Sequence, residues 1–92
     1  MTSDLKGKTA IVTGAGRGLG REYAEKLAAT GARVVAGDVL DCADTVVAIK
    51  EAGGAAISVP PDVRNQVSCD TMAEQAMASF GRIDVLVNNA AL

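Results

Sequence analysis

A short β-branched and apolar run, Thr9-Ala10-Ile11-Val12-Thr13, passes straight into glycines at Gly14, Gly16, Gly18 and Gly20. The run reads as a buried strand, and a helical pattern begins as the glycines end. Glycine permits positive φ and carries no Cβ, so an anionic group can approach the backbone closely. A helix opening at Gly18 aims its free N–H groups and the positive end of its dipole at that anion. A strand, a glycine-rich turn and a helix in this order form a phosphate cradle. Spacing then separates the kinds of cradle. The pattern G-x-G-x-x-G fails, because its third position falls on Leu19 when counted from Gly14 and on Arg21 when counted from Gly16. The P-loop spacing is not met either. The pattern that fits is T-G-x-x-x-G-x-G, as Thr13, Gly14, Gly18 and Gly20.

The rest of the chain alternates strands and helices around this turn. The first strand is expected over residues 8–13 and the first helix over 18–30, where Leu19, Tyr23, Ala24, Leu27 and Ala28 share one apolar face. A second strand over 32–37 ends at Asp38, and a helix over 42–52 follows with Asp41 as its N-cap. Residues 55–59 give a third strand, stopped by Pro60-Pro61. Asn65 is placed to cap a third helix over 66–80, with Cys69, Met72, Ala73, Ala76, Met77 and Phe80 on one stripe. A fourth strand over 83–87 leads into Asn88-Asn89-Ala90-Ala91. Helices alternating with short apolar strands require a parallel sheet with right-handed crossovers. The expected fold is therefore α/β, a partial Rossmann doubly wound sheet in strand order 3-2-1-4 with helices on both faces. A ligand belongs above the C-terminal strand ends, at the switch point between the first and fourth strands.

Composition closes off several other functions. The net charge is −2 with no basic cluster, which argues against nucleic acid as a partner. No apolar run is long enough to span a membrane, and the first residues lack a secretory signal core, which points to the cytoplasm. Cys42 and Cys69 stand in no metal spacing and are expected to be reduced thiols on helices. The absence of histidine removes histidine triads, histidine metal sites and histidine acid–base chemistry. No metal site is expected.

The motif Thr13-Gly14-x-x-x-Gly18-x-Gly20 resembles the cofactor motif of the short-chain dehydrogenase/reductase family, and the resemblance extends along nearly all of the chain. It implies an NAD(P)-dependent oxidoreductase that transfers a hydride between nicotinamide and a carbonyl or secondary alcohol. The glycine loop, with Gly14, Gly16, Arg17, Gly18, Leu19 and Gly20, would face the cofactor. Asp38, 18 residues past Gly20, sits near the fingerprint's acidic position, with Val39 beside it. A carboxylate there accepts hydrogen bonds from both ribose hydroxyls and repels a 2′-phosphate, which favours NAD. Arg17 pulls the other way, because a base just before the second motif glycine accompanies NADP preference in part of the family. The resemblance implies that Asp62 meets the adenine amino group and Val63 the ring through its backbone. Asn88-Asn89-Ala90-Ala91 resembles the segment N-N-A-G, whose first Asn stabilises the sheet and whose Ala backbone touches the nicotinamide ribose. Ala91 departs from the glycine of that pattern.

The family's proton relay uses Y-x-x-x-K with an upstream serine. The single tyrosine here, Tyr23, has Leu27 four residues on, with its nearest lysine at Lys26, and is expected to pack in the core. No catalytic residue is assigned. Family members are more than twice this long, so the chain reads as the N-terminal, cofactor-binding part of a dehydrogenase, with the fourth strand an open apolar edge. The resemblance also implies a homo-oligomeric parent acting on a small carbonyl or alcohol substrate. Two other readings stay open: a stand-alone nucleotide-binding module without catalysis, and an interaction protein that keeps the scaffold without a ligand.

Overall fold

A computed structural model describes residues 5–62, 64 and 66–89 of the chain. Seven elements follow in strict alternation: β1 (Thr9–Thr13), α1 (Gly18–Ala29), β2 (Arg33–Gly37), α2 (Ala43–Glu51), β3 (Ala55–Val59), α3 (Cys69–Phe80) and β4 (Val85–Asn88). The strands form one sheet in the order β3-β2-β1-β4, with all neighbours parallel. This is the expected order. It puts β1 at the centre, and every residue of β1 is buried.

Alternation along the strands divides the core in two. On one face Val12, Val34, Ala36 and Ala56 pack with Ala24 of α1 and Ile49 of α2. On the other, Ile11, Val35 and Val59 meet Met72 and Ala76 of α3. The chain moves outward from β1 to β2 to β3 and then jumps back past β1 to β4, so right-handed crossovers leave α3 on the face opposite α1 and α2.

Several boundaries differ from the expected ones for local reasons. Helix α3 begins at Cys69, later than expected, because Ser68 caps it by accepting the Thr71 N–H at 3.2 Å. The Gln66 backbone is held instead by Asp62, whose N–H donates to the Gln66 carbonyl at 2.8 Å and whose Oδ1 accepts the Gln66 N–H at 3.1 Å. The expected cap, Asn65, lies outside the described residues. In α2 the N-cap is Cys42, with no side-chain cap bond, and not the expected Asp41, whose carboxylate accepts the Ala43 N–H at 2.8 Å in the turn just before the helix.

The apolar face of α1 is narrower than its spacing predicts. Its buried positions are the small residues Gly20 and Ala24, because the helix lies close against the sheet. Tyr23 is 41% exposed and Leu19 59% exposed, so the expected core tyrosine stands at the rim. It shares a shallow apolar hollow with Leu5, Lys26, Leu27, Thr30 and Val87. In α3 Met72 is fully buried, whereas Met77 stays on the surface.

Strand β4 starts at Val85 because the Asp84 side chain stands in for a ladder carbonyl. Its Oδ2 accepts the Thr9 N–H at 2.9 Å, while its own N–H donates to the Thr9 carbonyl at 2.9 Å. The Arg82 guanidinium grips both carboxylate oxygens at 2.8 Å, and this, with the Thr9 N–H, holds the Asp84 carboxyl down at about 2. A carboxyl lowered on folding contributes stability that is present above its unfolded value, about 3.9, and lost as pH falls through the folded one. Melting temperatures measured from pH 5 to pH 2 should therefore fall less steeply in Asp84→Asn than in the parent chain. Parallel acid limbs would show that Asp84 carries none of the acid sensitivity.

Candidate functional site

The C-terminal ends of β1, β2 and β4 meet around the glycine loop, residues 14–17. The four glycines here serve two different purposes. Gly14 and Gly18 have φ of +66° and +60°, the left-handed region that favours glycine. Gly16 and Gly20 are glycines for space. A Cβ on Gly20 would lie 1.9 Å from the Gly14 carbonyl oxygen and 2.8 Å from Asn89 Nδ2. A Cβ on Gly16 would lie 2.9 Å from Asp38 Oδ2.

Three hydrogen bonds index the loop to its surroundings. The Ala15 N–H donates to the Gly37 carbonyl at 3.2 Å, and the Gly16 N–H donates to Asp38 Oδ2 at 2.8 Å. The third comes from α2: the Thr45 hydroxyl donates to the Ala15 carbonyl at 2.8 Å, with both residues fully buried. The sequence reading did not single out Thr45. Its signal was a hydroxyl four residues before Ile49, on the buried stripe of an otherwise apolar helix. Thr45→Val keeps the shape and removes the donor, leaving a buried carbonyl unpaired at a cost of about 1–3 kcal/mol. Urea denaturation should show that loss, and Thr45→Ser should recover most of it.

Helix α1 opens without help. Arg17 precedes it in an extended conformation, no side chain caps it, and its first turn holds no acid. The N–H groups and dipole of this end therefore face the loop uncompensated. Arg17 is exposed and forms no ion pair among the described residues. Leu19 also points outward.

Asp38 is half-buried at the tip of β2, and its second oxygen, Oδ1, accepts the Leu40 N–H at 3.2 Å. Val39 beside it is exposed. Across the switch point, Thr13 ties β1 to β4. Its Oγ1 accepts the Asn89 N–H at 2.9 Å and lies 3.1 Å from Asn88 Oδ1, to which it can donate. Asn89 thereby brings its carboxamide against Gly20 and the start of α1. The structure thus gathers the glycine loop, Asp38 and Asn89 into one place.

Asp62 makes no bond to that group among the described residues. It accepts the Arg64 N–H at 2.8 Å and pairs with the Arg64 guanidinium at 3.0 Å, and this pairing lowers its carboxyl below the usual range. Its bonds among the described residues stay within its own turn. Val63, Ala90 and Ala91 lie outside the described residues.

Cys42 is buried behind Asp38, and burial, aided by the charges of Asp38 and Asp41, pushes its thiol up to about 11. A thiol held protonated is a poor nucleophile. Cys69 is free and exposed at the start of α3. No group of three or more potential metal ligands occurs among the described residues. Gly37 escaped the sequence reading. A Cβ there would stand 2.6 Å from Met72 Sδ, so its absence lets α3 pack closely beneath the end of β2.

Comparison with known proteins agrees with this geometry. A model of the short chain dehydrogenase family matches residues 8–92. The chain is 46% identical to 3beta-hydroxysteroid dehydrogenase 1 of Eggerthella lenta, covering 100% of this chain and 36% of that protein. It is 45% identical to a sorbitol dehydrogenase of Cereibacter sphaeroides, over 96% of this chain and 34% of that one. A crystal structure of hydroxysteroid dehydrogenase from Escherichia coli superposes with a TM-score of 0.86 at 38% identity, covering 96% of this chain and 38% of that chain. The chain therefore spans about a third of the length of these relatives.

Proposed function

The chain belongs to the short chain dehydrogenase family, and from that premise we propose that it is the NAD-binding portion of an oxidoreductase. The observation that carries this reading is the Asp38 carboxylate, held 2.8 Å from the Gly16 N–H beside an uncapped helix start. The residues present suit a dinucleotide. The glycine loop has no Cβ where α1 crosses Gly14, and the first turn of α1 offers free N–H groups to a pyrophosphate. A carboxylate has about four acceptor positions. Two on Asp38 are taken, by Gly16 and Leu40, which leaves a pair for the two ribose hydroxyls. The same negative charge opposes a 2′-phosphate, and Arg17, exposed and turned from any partner among the described residues, is too loosely held to offset it.

Further contacts complete the reading. Leu19, Val39 and Val63 would border the adenosine, with Asp62 toward the adenine amino group, while Asn89, Ala90 and Ala91 would border the nicotinamide ribose. When bound, the nicotinamide gives or takes the hydride. The relatives' names include hydroxysteroids and sorbitol, all of which carry hydroxyl groups, in keeping with a carbonyl or secondary alcohol as substrate. Tyr23 shares its hollow with Lys26, and Leu27 stands where the relay pattern has lysine, so no proton-relay role is proposed for it. Leu86, 58% exposed on β4, and the exposed Met77 on α3 offer apolar surface that suits a homo-oligomeric whole. No described helix is long and apolar enough to cross a membrane.

Calorimetric titration of the chain with NAD and with NADP tests the reading. Saturable NAD binding, at least about tenfold tighter than NADP, is the expected result. No binding, or tighter NADP binding, would remove it.

A further inference from the structure

We propose that Gly16 is a specificity-determining residue: its N–H and its missing Cβ together fix the Asp38 carboxylate where it accepts ribose hydroxyls and refuses a 2′-phosphate. The proposal rests on the NAD reading above and adds to it a residue outside the T-G-x-x-x-G-x-G spacing. Gly16 does not lie in the left-handed region, unlike Gly14 and Gly18. A left-handed conformation therefore does not explain a glycine here. Space does. A Cβ would stand 2.9 Å from Asp38 Oδ2, 3.2 Å from Leu40 Cβ and 3.4 Å from Asp38 Cβ. The first separation is closer than real Cβ atoms come, and the carboxylate is the part free to give way.

Giving way has a definite consequence. Asp38 Oδ2 is the oxygen that accepts the Gly16 N–H at 2.8 Å. A methyl group at Gly16 turns that oxygen off its donor, and only the Leu40 N–H, at 3.2 Å to Oδ1, is left to hold the group. The displaced carboxylate loses its aim at the ribose diol and also withdraws charge from the space a 2′-phosphate would enter. NAD binding weakens and NADP binding is spared. Selectivity should therefore fall even though the charged residue itself is untouched.

The test is a cycle in the full chain: parent, Gly16→Ala, Asp38→Ala and the double variant, each titrated with NAD and NADP after a melting curve confirms the fold. The expected result is an NAD-to-NADP preference reduced about tenfold in Gly16→Ala, with no further reduction when Asp38 is already alanine. Equal weakening of both dinucleotides would mark a general loop defect and overturn the proposal, as would an unchanged preference. A measurement without cofactor separates this from the NAD reading: the Gly16 amide, bonded to Asp38 Oδ2 at 2.8 Å, should be slowed in hydrogen exchange and lose that protection in Asp38→Ala. If that protection is absent, the proposal fails whichever dinucleotide the parent chain prefers. A parent that binds NADP as tightly as NAD overturns the NAD reading and the selective role of Gly16 with it.

Discussion

Gly20→Ala should melt far below the parent chain and bind no dinucleotide. The added Cβ would meet the Gly14 carbonyl oxygen at 1.9 Å and the Gly14 carbonyl carbon at 2.6 Å. Both are backbone atoms at the end of the central strand, and neither can rotate aside. The helix must lift, and Ala24, fully buried one turn on, lifts with it. Overpacking a core costs about 1–3 kcal/mol and occasionally more. With a rigid obstacle, about 3 kcal/mol is a fair expectation, which at roughly 4–8 °C per kcal/mol lowers Tm by about 12–24 °C in a domain this small. Thermal unfolding followed by circular dichroism measures the first effect and calorimetry the second. Gly18→Asn is the control. Gly18 has φ of +60° with nothing within 4 Å of its Cβ position, and asparagine tolerates that conformation. A Gly20→Ala protein that melts beside the Gly18→Asn one would show that α1 has room the structure denies it.

Asp38→Ala should reverse the cofactor preference. Hydrogen bonds to a charged group are each worth about 1.5–3 kcal/mol, so losing the carboxylate and its two ribose bonds should weaken NAD by roughly a hundredfold or more. NADP should gain at the same time, because the charge opposing its 2′-phosphate is gone and the exposed Arg17 is then uncontested. Competition titration gives both constants. Asp38→Asn separates charge from geometry: it should retain part of the NAD affinity while admitting NADP. If both variants keep the parent's preference, Asp38 is a strand-end residue that only holds the glycine loop.

Much of this was legible along the chain. Strand order follows from alternation and crossover handedness, and the glycine loop announces itself by spacing. The positions that escaped notice depend on contacts distant in sequence. Gly37 reads as an ordinary strand residue until Met72 of α3 is seen 2.6 Å from its absent Cβ. Thr45 reads as a polar interruption until its hydroxyl meets Ala15, 30 residues earlier. Tyr23 misled for the opposite reason. Helical spacing locates the apolar side of α1, but the buried width was set by how closely Gly20 brings the helix to the sheet. The start of α3 was displaced by Asp62, which holds Gln66 in a turn that no periodicity records.

The links between the two central strands bear on the order of assembly. Thr9 reaches Asp84 across 75 residues, and Thr13 reaches Asn89 across 76. Closing so long a loop has an entropic cost that grows only slowly with length, but non-local parallel pairing is slow to form. Strand β4 is thus expected to join last, after β1, β2 and β3 have paired by shorter crossovers. The C-terminal ends of β1 and β4 do not stand side by side before that step. A nascent chain has the loop in hand from its first twenty residues yet no second wall for a ligand until Asn89 arrives. If the chain binds a dinucleotide as proposed, its capture is a late reporter of folding, and a ligand that bridges β1 and β4 would act as a latch on the docking of β4.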